Sequence, residues 1–400
     1  MTKKRFMKFR QLKTIIYAMR MQKSFLFILL FVLPALFGQC GQTATTQPMP
    51  APVEPPVAKA VRGVWLTNVG SQVLNTSAGI REAVKTCKRS GINHIFAVMW
   101  NKGRTLYPSK VMKNTFGIEI DENLKGRDPL RELIDAAHAD SIKVYAWMEY
   151  GFAAENSGFG EHILRMKPNW AALGQDGKVV VKNGFKWMNA LDPEVQDFML
   201  SLLKEVATNY PDLDGIQGDD RLPALPTECG YNPEILAAYK RETNAVPADP
   251  KTDTKWVDWR ANRLNLFANR LYTELKAIRP SLKVAMAPSI FPFAKTEYLQ
   301  DWPTWVQNGW VDLISPQIYR YNIDAYRNEL TKIVTQQIPA DKLHLLSPGV
   351  LLKVGTYKPT EAFLQDMVNE NRRQKLNGEI FFYYEGLNEQ TSFFNQYSTK

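Results

Sequence analysis

Histidine and cysteine are scarce in this chain, four and three among 400 residues. His94, His138, His162 and His344 form no cluster, and neither a CxxC pair nor an HExxH motif occurs. The donor sets that hold zinc or a redox metal are therefore missing, and neither a metal nor a cofactor is expected. Cys87 falls in an apolar helical pattern and reads as packed; a bridge to Cys229 is open but unsupported by spacing. A glycine-rich phosphate loop is also absent, because Leu66-Thr67-Asn68-Val69-Gly70-Ser71 lacks GxGxxG spacing. Charge of one sign is missing from the body of the chain. The formal net charge is +10, yet residues 1–39 carry eight Lys or Arg and no acid, leaving 42 basic against 40 acidic residues beyond them. A nucleic-acid partner, which needs basic side chains gathered on the folded domain, is not expected.

The leader has a basic stretch, the apolar run Phe25 to Leu33, then Pro34 and small residues. That order reads as an export signal, with Met21 an alternative start, and the run is too short for a comfortable membrane span. Leu36-Phe37-Gly38-Gln39-Cys40 resembles a bacterial lipobox, which implies cleavage before Cys40 and lipid on its sulfur. Gln39 departs from the small residue that pattern prefers, and plain secretion is the alternative. Residues 41–60 are rich in proline without apolar periodicity, as in an extended tether. The expected organisation is a signal over 1–40, a linker over 41–60 and one folded domain over 61–400. The domain is expected in the cell envelope as a monomer, touching the membrane only through a lipid.

Eight β-branched or aromatic runs alternate with amphipathic stretches: Gly63 to Val69, His94 to Trp100, Lys143 to Tyr150, Asp214 to Gly218, Lys283 to Ala287, Val311 to Ser315, Leu343 to Pro348 and Glu379 to Tyr384. Helices are predicted over Ile80 to Ser90, Pro129 to Asp140, Pro193 to Asn209, Lys255 to Ile278, Tyr298 to Asn308, Asp324 to Gln336 and Thr360 to Leu376. Asp128-Pro129 and Asp192-Pro193 each offer an acidic N-cap followed by proline at the first helical position. This alternation predicts an α/β fold, a (β/α)8 TIM barrel, with a doubly wound sheet as the alternative. Two insertions, Phe152 to Leu191 and Leu222 to Trp256, would flank the mouth. Their Trp170, Phe185, Trp187 and Tyr231 would serve either as sugar-stacking platforms or as packing of the insertions themselves.

Three of the runs end in acids: Glu149, the pair Asp219-Asp220, and Glu385. In a barrel such positions crowd together at the C-terminal rim. The predicted mouth adds Trp65, Asn68, Trp100, Trp147, Tyr150, Arg221, Gln317, Tyr319 and Arg320, with Pro288, Ser289, Asp301 and Trp302 beside them. Aromatic faces, amides and carboxylates suit a sugar, whose ring has apolar faces and a rim of hydroxyls. Two carboxyls of different pKa can cleave a glycosidic bond. Asp219, beside Arg221, is expected to be the ionised partner and Glu149, among aromatics, the acid, with Asp220 and Glu385 as competitors.

Several motifs resemble the family-10-like glycosyl hydrolases, bacterial extracytoplasmic barrel proteins. They are Arg62-Gly63-Val64-Trp65-Leu66-Thr67, Leu106-Tyr107-Pro108-Ser109, Ala146 to Phe152, Leu191-Asp192-Pro193, Asp214 to Asp220, Asp301-Trp302 and Ile314 to Arg320. The resemblance implies activity on cell-envelope glycans, particularly peptidoglycan strands stripped of peptides, and places Asp219 and Asp220 in the catalytic centre. Arg221 stands where the commonest form has an aromatic residue, and Glu149-Tyr150 where many members have Asn-Pro, which implies a subgroup. The competing expectation is a polysaccharide-binding lipoprotein without turnover; a lyase or transglycosylase is a third.

Overall fold

Parallel strands covered on both faces read as continuous apolar runs, and His94–Val98 is buried at every position. The computed structural model describes residues 60–376 and 378–397; the predicted signal, Cys40 and nearly all of the linker lie outside the described residues. Eight parallel strands form one curled sheet: β1 Arg62–Leu66, β2 His94–Val98, β3 Lys143–Trp147, β4 Gly215–Gly218, β5 Lys283–Met286, β6 Leu313–Ile314, β7 Gly349–Leu351 and β8 Glu379–Phe382. Their order is 6-5-4-3-2-1-8-7. Parallel bridges Ile314↔Leu346 and Gln317↔Gly349 join the two edges, which makes the sheet a (β/α)8 barrel.

Helices α1 Ser77–Arg89, α2 Pro129–Ala139, α3 Pro193–Asn209, α4 Thr254–Ile278, α5 Trp302–Gln307, α6 Ile323–Lys332, α7 Glu361–Arg373 and α8 Thr391–Tyr397 follow the strands. The two Asp-Pro starts behave as predicted: Asp128 accepts from the Arg131 amide and Asp192 from the Glu194 amide. Two predicted elements are displaced. The seventh strand lies beyond Leu343 to Pro348, because residues 340–345 form a 3-10 turn. Pro348 has no amide to give the ladder, although its carbonyl accepts from Ile380. The predicted helix Tyr298 to Asn308 is broken. Leu299 turns left-handed at φ 55°, and α5 restarts at Trp302 with Pro303 in its first turn.

The barrel interior is aromatic. Trp65 contacts Phe96, Trp147 and Phe382 and donates its indole N–H to the buried Gln217 at 2.7 Å. Both insertions are ordered. The first carries a three-stranded antiparallel sheet over Ala153–Asn156, Val181–Lys182 and Phe185–Trp187. Its Lys182 pairs with Glu228 of the second insertion at 2.9 Å and with Glu297 at 2.7 Å, so the two loops form one wall. Trp170, Trp187 and Tyr231 are buried, taking the packing option rather than the platform option. Cys87 and Cys229 are both free and buried. Among the described residues no helix is long and apolar enough to cross a membrane.

Candidate active site

Register decides which strand-end residues meet. β3 pairs with β4 so that Trp147 stands opposite Gln217, and two steps further along each chain come Glu149 and Asp219. Since side chains two apart share a face, both acids follow Trp147 and Gln217 toward the barrel axis at its C-terminal rim. Arg221 ties them together. Its Nη2 is 3.3 Å from Asp219 Oδ2 and 3.9 Å from Glu149 Oε1, and its Nη1 is 3.2 Å from Asp220 Oδ1. The nearest oxygens of Glu149 and Asp219 therefore stand no more than about 7 Å apart, a separation at which two carboxyls can act on one bond.

Each acid is held differently. Asp219 Oδ1 accepts from Gln317 Nε2 at 2.8 Å, and its backbone carbonyl from Gln300 Nε2 at 2.9 Å. Glu149 Oε2 accepts from Asn101 Nδ2 at 2.7 Å and Thr67 Oγ1 at 3.2 Å, while Arg221 Nε donates to the Glu149 carbonyl. The side chains of Asp219, Glu149 and Asp220 are 4%, 14% and 26% exposed, so Asp219 is the deepest and Asp220 faces outward. Burial, then the neighbouring Asp220, pushes the Asp219 carboxyl well above the usual carboxylate range, against the pull of Arg221. Burial raises Glu149 as well, opposed first by Arg221. Burial thus favours the protonated form of both acids. Arg221 is buried, which alone would weaken its proton, yet Asp220, Asp219 and Glu149 together hold it charged.

Tyr150 and Phe185 cover the guanidinium, whose carbon lies 6.0 and 5.1 Å from their ring centres. Tyr319 packs on Phe382 at 5.2 Å. Burial, then Asp219, Asp220 and Glu149, keeps its hydroxyl strongly protonated. That hydroxyl is buried and has no hydrogen-bond partner, and the same holds for Trp147 Nε1, Gln217 Nε2, Asn101 Oδ1 and Ser315 Oγ. Buried polar atoms without partners are costly, and here they gather around the acids.

The structure brings Asp219, Asp220, Glu149, Arg221, Gln317, Tyr319, Tyr150 and Asn68 together; Asn68 joins through Asn101 Nδ2, which also donates to its Oδ1 at 2.8 Å. Other predicted residues lie elsewhere. Trp65 fills the barrel, and Trp100 packs on Phe198 with its N–H on the Gly151 carbonyl. Both are shut off from a ligand by apolar neighbours, and Trp147 offers no more than its buried N–H. Arg320 is drawn away to Glu329 of α6 at 3.0 Å. Glu385 sits in the turn Tyr384–Gly386, where its charge acts on Lys353. Asp301 pairs with Lys295, and Trp302 is buried with its N–H on Ser289. Thr67, Asn101 and Gln300 were missed. The first two are polar residues just past β1 and β2, a placement that carries the signal; Gln300 is positioned by the helix break at Leu299, which the sequence does not mark.

Comparison with known proteins agrees with this architecture. The chain is 26% identical over 340 residues to the glycosyl hydrolase DigH of Escherichia coli K12, spanning 73% of this chain and 74% of that protein. It is 20% identical over 375 residues to the glycosyl hydrolase YngK of Bacillus subtilis, spanning 82% and 69%. The solved glycoside hydrolase domain of PgaB (BpsB) from Bordetella bronchiseptica superposes with a TM-score of 0.61 at 14% identity, covering 85% of this chain and 98% of that domain; at that identity the likeness speaks for the fold. The family model described as Glycosyl hydrolase-like 10 matches residues 60–368, and the chain belongs to that family.

Proposed function

We propose that this protein is a glycosidase that cleaves O-glycosidic bonds in a cell-envelope or extracellular polysaccharide, with peptidoglycan glycan strands as the leading substrate, by two-carboxylate catalysis. The carrying observation is that Asp219 and Glu149 share Arg221 at the barrel rim, within reach of one bond and ringed by buried polar atoms without partners. Three carboxylates around a single guanidinium would leave excess negative charge in a poorly hydrated crevice, so a proton is retained within the cluster. Asp219, the deepest, holds it and gives it to the leaving oxygen. Glu149, fixed by Asn101 and Thr67, stays ionised and acts on the opposite face as nucleophile or base. Tyr319 OH and Gln317 are placed to hold sugar hydroxyls. The family relationship supports the reaction class, and the names of the relatives support nothing finer.

The test is incubation with denuded peptidoglycan glycans and a panel of polysaccharides, with products read by mass spectrometry. Turnover that vanishes in Asp219→Asn while ligand binding persists is the expected result; binding with no turnover in the wild type would make the protein a polysaccharide binder. Aryl glycosides with good leaving groups need little protonation, so Asp219→Asn should retain more activity on them than Glu149→Gln does. The opposite ranking would exchange the two roles. An exported, lipid-anchored location belongs to the same proposal and rests on the leader. Labelled lipid that is incorporated by the wild type and lost in Cys40→Ala is the expected result, and incorporation that persists would refute the anchor.

A further inference from the structure

β5 runs out into Ala287-Pro288-Ser289 and brings no acid to the mouth, yet the chain that follows it, Glu297 to Gln300, is tied to three other parts of the rim. Leu225 and Thr227 of the second insertion donate their amides to the Tyr298 and Glu297 carbonyls, each at 3.0 Å. The first insertion is tied by side chains: Lys182 Nζ reaches the Glu297 carbonyl at 2.9 Å and its Oε2 at 2.7 Å, and Asn183 Nδ2 donates to the Tyr298 hydroxyl at 2.6 Å. Gln300, fully buried, gives its Nε2 to the carbonyls of Asp219 at 2.9 Å and Pro223 at 3.4 Å. Its Oε1 is buried without a partner. Stranding an acceptor in the interior costs stability, and an apolar side chain of similar volume would avoid that cost.

The two carbonyls held by Gln300 bracket the turn that bears the acids. Leu222 closes this turn by donating its amide to the Asp219 carbonyl at 3.1 Å, and the Phe152 amide holds the Arg221 carbonyl at 2.9 Å. Two glycines make room for it. A Cβ on Gly218 would stand 2.5 Å from the Leu222 carbonyl oxygen, and one on Gly151, at φ 50°, 2.1 Å from that of Arg221. The backbone of the turn is thus gripped, whereas the Arg221 guanidinium depends on side chains. Phe185 lies 5.1 Å from its carbon and 5.4 Å from the Tyr150 ring. Lys182 and Phe185 are paired across one antiparallel hairpin, so a displacement of the first carries the second.

We infer that Gln300 and Lys182 align the acid cluster for the reaction, Gln300 by holding the backbone of the Asp219 turn and Lys182 by holding Phe185 against Arg221, with residues 297–300 as their common anchor. Both are positioning residues that act through the turn and the guanidinium. A misplacement of the reacting groups by about 1 Å can cost on the order of 100-fold in rate, so small slack in this brace matters to chemistry before it matters to folding. Its effect on catalysis rests on the glycosidase reading; the brace itself does not.

Hydrogen exchange read by mass spectrometry and steady-state kinetics on the full chain test the two parts separately. Gln300→Met keeps the volume and removes the donor, Lys182→Met removes the latch, and Lys182→Arg keeps its charge. In peptides spanning residues 148–153 and 218–224, Gln300→Met should speed amide exchange about tenfold. Lys182→Met should do the same over residues 181–187, with β1 and β2 as protected as in the wild type. Lys182 sits at the partly exposed rim, so its variants carry the test alone if Gln300→Met does not fold. With a cleaved glycan, each methionine variant should lose about 10- to 100-fold in kcat at unchanged KM, and Lys182→Arg should recover most of the loss. Unchanged exchange in these peptides, exchange raised equally throughout the barrel, an unchanged kcat, or a raised KM at constant kcat would overturn the inference. A wild type without turnover would sink the glycosidase reading alone, and the exchange result would then decide the brace.

Discussion

Replacing Arg221 with methionine keeps most of the side-chain volume and removes the cation that Asp219, Asp220 and Glu149 share. At such distances each pair is worth up to about 4 kcal/mol at an effective dielectric near 20, before the cost of burying the guanidinium is subtracted. Breaking a buried pair by removing one partner costs roughly 3–5 kcal/mol because the remaining charge is stranded. Burial raises Asp219 and Glu149 in the folded state, and without Arg221 both would rise further. A carboxyl whose folded pKa exceeds its unfolded one contributes stability that is complete below about pH 4 and lost as pH climbs through the folded value. The substitution should therefore cost little at pH 4, where these acids are protonated with or without Arg221, and most at pH 8. At about 2 °C per kcal/mol, the gap in melting temperature should widen by several degrees across that range. Thermal unfolding followed by circular dichroism at intervals of pH measures it, and the acidic limb of the rate profile should move to higher pH. A gap that stays constant from pH 4 to 8 would refute the shared-charge account and leave Arg221 a tether for the Glu149 carbonyl.

Asp219→Asn should raise the melting temperature at pH 8 while leaving it nearly unchanged at pH 4, since it removes a carboxyl whose ionisation opposes folding; a loss of stability at pH 8 in differential scanning calorimetry would contradict this. Glu379→Gln should cost about 3–5 kcal/mol, because the fully buried carboxylate takes two bonds from Arg372 and one each from Asn371 and Tyr397, joining β8 to α7 and α8. Urea unfolding reads that loss, and a cost below about 1 kcal/mol would show the pair to be dispensable. Gly215→Ala places a Cβ 2.3 Å from Tyr145 Cε1 and 2.7 Å from the Lys283 carbonyl, and overpacking of this kind should destabilise by about 1–3 kcal/mol. A neutral outcome in the same urea assay would mean that the Tyr145 ring moves aside without cost.

Most of the fold was legible because its signals are local. Strands buried on both faces betray themselves as apolar runs, and Asp-Pro starts mark α2 and α3 whatever the chain does elsewhere. The seventh strand was misplaced because Leu343, Leu345 and Leu346 look like strand residues, while the ladder needs an amide that Pro348 lacks. The acids were legible for a related reason: the strand that ends in them also fixes their register. The aromatics were not. A tryptophan at a strand end serves equally well as core or as ligand platform, and only the packed structure separates Trp65 and Trp100, sealed by their neighbours, from Phe159, which stands in solvent. The upward shift of both acids was likewise hidden, since burial at the rim, and not the identity of adjacent residues, drives it.

The division of labour in this barrel follows from how each group is anchored. Asp219 and Glu149 lie just past the ends of adjacent strands whose register is set by backbone hydrogen bonds, so the sheet sets the spacing from which they project. Gln300 and Asn101 reach them from loops and add alignment rather than position. The walls are held by side chains: Lys182 with Glu228 and Glu297, and Lys251 with the same two acids. Such partly exposed pairs are each worth little and are screened by salt. The acid pair is therefore the rigid part of the mouth, while the loops that would read the glycan are the part that sequence change can reshape at small cost in stability.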